Sequence, residues 1–475
     1  MIIVGEKMEL SRVRHKESDS ADFLKKIHKV YLFLAITIGV MLSLFMPLFN
    51  EPDGQYHYTV ATNMVGLTND ISVYGEESIS TGMTAQISSY RSGDYFETYF
   101  KNQIVKMPMG DLPRGQVQQI PSFKAYDFWG HIIPAAGVWL GYHIYPSMGV
   151  MIVVARLLST LVFSLLLFFI IRFLEKGKLF FFALSLTPVV TNSISSLSYD
   201  ALTYVLAAFS VAIAINIVNS KKVTKASLIE IVVAVISLFL GAKTNIKLFI
   251  LLFPLVIIGV IFHTRLQKVE AFVLEKCKKK LVKFSIIVGG LAAILGGMLF
   301  VYLTHPGWFF YAYRFVLNFA INMNPIPNTQ QIFTGLLAVP NARYNNMPLW
   351  VAGAWYVLLV LIAFSEEKFV ESKLISLGSL AIFFVGVLAV YYSYMPYYVA
   401  STLKSLDVLG RIGGHQGRYF TPTLLLFVLF VGSKKFKARF FAGKSLLVFS
   451  VCIIIISNVL LVFGTLFGML NGIYY

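Results

Sequence analysis

The sequence predicts an all-α integral membrane protein with about eleven transmembrane helices, its N-terminus inside and its C-terminus outside. Three observations predict it. Of the 475 residues, 57% are apolar and only 13% are charged, whereas a soluble domain carries about 25% charged residues. The apolar residues fall in runs approaching the roughly 20 residues that a bilayer span needs. The formal charge of +17 is concentrated in the short segments between those runs. With only two cysteines, a disulfide-stapled domain is excluded, and the apolar content excludes a disordered chain.

The runs cover residues 30–49, 148–171, 179–194, 201–218, 228–242, 248–262, 284–303, 349–364, 374–395, 419–431 and 446–470. Several hold only 13–16 residues, as expected where backbone is buried in protein rather than facing lipid. Residues 1–29 form a basic cytoplasmic segment. The run after it is read as a span and not a cleaved signal peptide, because no small-x-small site follows Phe49. Residues 30–475 are read as a single transmembrane domain.

Loop charge orients the helices. Alternation from an inside N-terminus places residues 1–29, 172–178, 219–227, 263–283, 365–373 and 432–444 inside. These short segments hold 27 of the 40 Lys and Arg residues, as the positive-inside rule requires. The near-apolar stretch 128–145 would reverse every later loop if it crossed, so it is read as a helix in the outer interface, a level that suits its Trp, Tyr and His residues. The basic balance is therefore membrane orientation. No zinc spacing, phosphate loop or aromatic RNA-binding motif points to a nucleic-acid partner.

Three long segments lie on the outer side: 50–147, 305–348 and 396–418. The first has nine acidic residues against five basic ones and is long enough to carry structure of its own. Directly after the first span it places Glu51, Asp53 and His57. With a helix starting near Asp53, Asp53 and His57 would share one face. Asp53 is equally readable as a helix cap. Asp200 precedes the fourth span and reads as an N-cap or a site residue. Lys243 and Lys247 share one outer turn, against the charge trend, and read as snorkelling side chains or as a phosphate site. Arg156 lies about eight residues inside the second span, where an ionisable group marks a functional site or a structural pair. The glycine-rich stretch Gly413–Pro422 lets backbone approach a ligand closely and carries Arg418, whose planar fork suits phosphate.

Two blocks carry a family resemblance. Pro52-Asp53-Gly54-Gln55-Tyr56-His57-Tyr58 resembles a Pro-Asp-Glu-x-x-His-aromatic pattern, with Gly54 in place of the Glu. Gln416-Gly417-Arg418-Tyr419-Phe420 with Pro422 matches a second signature intact. With the turns at Ser198–Asp200 and Ala242–Lys243, the chain resembles, over roughly residues 30–470, the bacterial membrane family called domain of unknown function 2142. That family is placed with the GT-C superfamily of multispan glycosyltransferases.

The resemblance implies a GT-C-like fold in the bacterial plasma membrane, with an outward-facing site. It implies a polyprenyl-phosphate-linked sugar donor, a glycan or teichoic-acid-like acceptor and inversion at the anomeric carbon. It implies Asp53 as general base, supported by His57 and Glu51. Lys243, Lys247, Arg418 and Arg411 would receive the donor phosphate, with Asp200, Arg156, Gln416 and Tyr419 supporting them. A divalent cation, Mg or Mn, stays open, although Gly54 removes one carboxylate from a two-carboxylate version. Two other classes stay open beside the enzyme: a flippase of lipid-linked glycans, and a polysaccharide polymerase or ligase.

Overall fold

The computed structural model of the chain describes residues 25–75, 84–278, 280–307, 314–316, 328–394, 412, 415–433 and 443–472. Regular structure among them is helical, and the extended pairing is confined to two isolated bridges, Asn69 with Lys106 and Gln103 with Ser147. Helices α1 (Lys25–Phe45) and α2 (Gly54–Met64) flank the start of the long loop, which closes with α3 (Tyr126–Ile144). The bundle continues with α4 (Met148–Phe173), α5 (Lys178–Leu184), α6 (Pro188–Ile194), α7 (Asp200–Ser220), α8 (Lys225–Gly241) and α9 (Thr244–Ile261). Then follow α10 (His263–Cys277), α11 (Lys280–Thr304), α12 (Leu349–Ser365), α13 (Lys373–Tyr394), α14 (Thr421–Val431) and α15 (Gly443–Asn471).

Seven of these helices contain a stretch long and apolar enough to cross a membrane: α1, α4, α7, α9, α11, α13 and α15. The other four expected runs take different forms. Residues 179–194 fold as the two half-helices α5 and α6, broken at Ser185–Thr187, where Pro188 opens the second half. A proline removes an amide donor and suits a first helical position. Asn458 of α15 repairs the break, donating Nδ2 to the Leu186 carbonyl at 3.0 Å and accepting from the Thr191 hydroxyl at 2.6 Å. In an apolar interior every freed backbone group needs such a partner. Helices α8 and α12 have 17 residues each, and α14 begins as a 3-10 turn over Thr421–Leu426.

The loops gather by side. Lys176 pairs with Glu367, Lys221 and His263 with Glu371, and Lys373 with Glu270. Four of the six segments expected inside are thus bound together at one end of the bundle. The ends bearing Asp53, Asp200, Lys243 and Arg418 meet at the other.

Helix α3 packs along the first half of α4. Gly137 lies against Ala155 and Gly141 against Met151. The 128–145 stretch is thus the first arm of a helical hairpin, and its N-terminal turns reach the site.

Candidate functional site

The loop after α1 is fixed before it reaches Asp53. Arg156 donates to the main-chain oxygens of Met46 at 2.7 Å and Pro47 at 2.9 Å, and to Glu51 at 2.6 Å. A helix leaves its last carbonyls unpaired, and this guanidinium takes up carbonyls just beyond the end of α1. Arg156 is therefore level with the end of α1, not deep in the bundle. The reason is length: 26 residues of α4 make about 39 Å of helix against a hydrocarbon core of about 30 Å. Asn50 is held from the other side, its carbonyl accepting from Asn341 and its Oδ1 from Asn345, which also bonds Thr465.

Asp53 then occupies the cap position of α2 with φ 60° and makes no side-chain cap bond. The left-handed backbone turns its carboxylate out of the helical direction and toward Arg418. This resolves the two readings of Asp53 against the simple cap. Gly54 follows for a steric reason: a Cβ there would lie 2.7 Å from the Phe49 Cα, too close for any side chain. The family glutamate has no room at this position.

Arg418 comes from a 3-10 turn, Gly417–Tyr419. Gly417 is required by close approach, since a Cβ would sit 2.2 Å from the carbonyl carbon of Gly335. Gln416 contributes its carbonyl to the Tyr419 amide at 3.0 Å. Asn245 donates to the Tyr419 carbonyl at 3.0 Å, tying the turn to the start of α9.

Four charged side chains converge. Arg418 Nη2 is 3.1 Å from Asp53 Oδ2, and its Nε is 2.9 Å from Asp200 Oδ2. Lys243 Nζ is 2.5 Å from Asp200 Oδ1. The Nε contact is an ion pair by distance whose N–H is not aligned as a hydrogen bond. Lys243 also lies over the Tyr199 ring at 4.5 Å and the Tyr419 ring at 4.1 Å, a favourable place for an ammonium ion. Asp200 is the first residue of α7, and its side chain serves the two cations rather than capping the helix. The exposures are unequal. The Arg418 and Asp200 side chains are 3% and 12% exposed, whereas Asp53 is 48% exposed.

Behind the cluster lies a histidine pair. His131 Nδ1 sits 2.5 Å from the Asp127 main-chain oxygen, and its Nε2 sits 2.8 Å from His57 Nδ1. A carbonyl only accepts, so His131 Nδ1 carries a hydrogen and, in the neutral ring, Nε2 accepts from His57. Burial lowers both histidines, His131 to about 4 and His57 well below its usual value. His131, Arg418 and Lys243 add to the effect on His57. The Tyr56 hydroxyl donates to Asp127 at 3.2 Å, and burial raises the Asp127 carboxyl.

The structure thus unites Asp53, Asp200, Lys243, Arg418 and Tyr419, with Gln416 at the base of the same turn, and sets Glu51, Arg156, His57 and Lys247 apart from them. Glu51 and Arg156 form their own buried pair. His57 bonds His131 rather than Asp53, because Asp53 points away from the helix face they were expected to share. Lys247 stands apart, 6.0 Å from the Phe239 ring. Lys243 sits at the cap position of the short Thr244–Lys247 turn and reaches Asp200, while Lys247 closes that turn. Arg411 lies outside the described residues, as do much of 305–348 and most of 396–418. Sequence reasoning passed over His131 and Asp127. Their signal was an Asp and a His four residues apart in an otherwise apolar stretch.

A divalent cation does not fit these residues. Both Asp200 oxygens face cations and Asp53 is held by Arg418. Among the described residues no group of three or more His, Cys, Asp and Glu is placed to hold a metal ion. A small cavity of about 20 Å³ reaches Asp200, Lys243, Arg418 and Thr203 from the bundle side. That is room for about one water, and Asp53 is the member of the cluster that is open to a larger ligand, at 48% exposed.

The apolar helices, with a polar cluster gathered at one end of them, define an integral membrane protein. The chain belongs to the family described as Predicted membrane protein (DUF2142), whose model matches residues 36–428. No curated protein and no solved structure matches it.

Proposed function

We propose that this protein is a membrane glycosyltransferase of GT-C type. It moves a sugar from a polyprenyl-phosphate donor to a cell-envelope glycan on the outer face of the plasma membrane. The observation that carries the reading is Asp53, a half-exposed carboxylate held against Arg418 beside Lys243. The reading counts eleven crossings: the seven apolar helices, the α5–α6 pair, α8, α12 and α14. The ion-paired end, rich in lysine, then faces the cytoplasm, and Asp53, Asp200, Lys243 and Arg418 face outward.

In this mechanism the acceptor hydroxyl attacks the anomeric carbon and its proton passes to Asp53. The bond from the anomeric carbon to the phosphate oxygen breaks, and its electron pair stays on the phosphate. Arg418 and Lys243 meet that charge, and fixed cations in a site of low water content are effective there. A single displacement inverts the anomeric centre. Asp200 holds both cations in place, Tyr199 and Tyr419 flank Lys243, and Asp53 stays open to an acceptor on its exposed side.

The test is purified protein in lipid nanodiscs supplied with labelled polyprenyl-phosphate sugars and envelope glycans. Label appearing in the glycan supports the reading. Passage of the lipid between leaflets in vesicles, with no transfer, would replace it by a flippase.

A further inference from the structure

The charged cluster is balanced before any ligand arrives. Asp53 and Asp200 match Lys243 and Arg418, and a third carboxylate, Asp127, lies close enough to feel both Lys243 and Asp200. A phosphate entering this arrangement would leave anions in excess, at a cost that grows as water is excluded. One carboxylate has to yield. Asp200 is ill suited, being almost buried and engaged by two cations. Asp53 is half exposed, and among the described residues it meets the cluster through the 3.1 Å contact to Arg418 Nη2. With Asp53 half exposed, solvent screens this contact and can take over its carboxylate, which is not so for the buried Asp200. A turn of the Asp53 side chain toward solvent breaks the contact without moving the backbone, which Arg156 holds at the Met46 and Pro47 carbonyls and Asn341 at the Asn50 carbonyl.

We propose that the phosphate of an incoming lipid takes Arg418 Nη2 from Asp53, so that ligand binding itself frees the Asp53 carboxylate. The proposal rests on the glycosyltransferase reading for the identity of the ligand, but its content is an exchange at Arg418. Without the phosphate, Asp53 stays occupied. With it, the carboxylate is released beside the bound phosphate, where an acceptor hydroxyl has to be deprotonated. Asp200 keeps Arg418 Nε and Lys243 throughout and so fixes where the phosphate lands.

Binding, not turnover, tests this. Affinity for a fluorescent polyprenyl monophosphate is measured in nanodiscs for the wild-type chain, Asp53→Asn, Asp127→Asn and Arg418→Ala, with thermal melting as the folding check. Removing the competing carboxylate should tighten binding by about tenfold in Asp53→Asn. Asp127→Asn, which removes a nearby charge that does not touch Arg418, should change it by no more than about threefold. Arg418→Ala should weaken binding by tenfold or more. Asp53→Asn binding no better than wild type, or Asp127→Asn tightening as much as Asp53→Asn, overturns the exchange. Failure of the wild-type chain to bind overturns it as well. A parallel titration with inorganic phosphate shows whether the prenyl chain is needed: the same pattern with phosphate alone keeps the exchange and removes the lipid. Tight binding with the expected pattern but no sugar transfer keeps the exchange and removes the transferase reading.

Discussion

Arg156 and Glu51 meet at 2.6 Å with side chains 1% and 3% exposed. The pair joins the second long helix to the loop that presents Asp53. Removing one member of a buried pair leaves an uncompensated charge, typically costing about 3–5 kcal/mol. Glu51→Ala should therefore lower the melting temperature and yield of the protein, whatever the donor. A Glu51→Ala protein with unchanged melting but no activity would assign Glu51 to the chemistry instead.

Asp53→Asn should behave in the opposite way. Its side chain is half exposed and caps no helix, so insertion and melting should stay near wild type. Loss of a positioned base should lower sugar transfer by about 10²–10⁴-fold. Near-wild-type transfer by this variant would remove Asp53 from the mechanism.

Arg418→Lys tests geometry against charge. One guanidinium spans Asp53 and Asp200 through different nitrogens, and an ammonium ion cannot reproduce that fork. We expect transfer reduced by at least tenfold with the charge retained. Full activity in Arg418→Lys would mean that a point charge is enough.

Gly54→Ala should destabilise the protein. The added Cβ meets the Phe49 backbone, and overpacking of this kind costs about 1–3 kcal/mol. Thermal melting against wild type decides it, and an unchanged midpoint would show that the Phe49–Asp53 turn relaxes freely.

The buried histidines predict acid sensitivity. His131 is lowered by burial from an ordinary 6.5 to about 4, so between these values the unfolded chain binds a proton that the folded chain refuses. The stabilising contribution is complete above pH 6.5 and is lost as the pH falls toward 4, by about 3 kcal/mol for His131. His57 shifts in the same direction. Melting midpoints should fall from pH 7 to pH 5, and His131→Gln should flatten the slope. A flat wild-type profile would contradict the buried neutral pair.

The membrane class and most of the helices were legible in the sequence because hydrophobicity and loop charge act locally: each span carries its own apolar run and each loop its own lysines. The half-helix break at Ser185–Thr187 was legible only as a short run, since its repair depends on Asn458, some 270 residues away. Asp53 and Arg418 were recognisable from their local blocks. That Asp53 points at Arg418, that His57 turns to His131, and that Glu51 belongs to Arg156 depended on a left-handed backbone at residue 53 and on helices packed from distant parts of the chain. Residue types and their order determined a membrane protein with a polar cluster at one end of its helices. Tertiary structure alone decided which of those polar groups touch, because ion pairs form between helix ends that are neighbours in space and not in sequence.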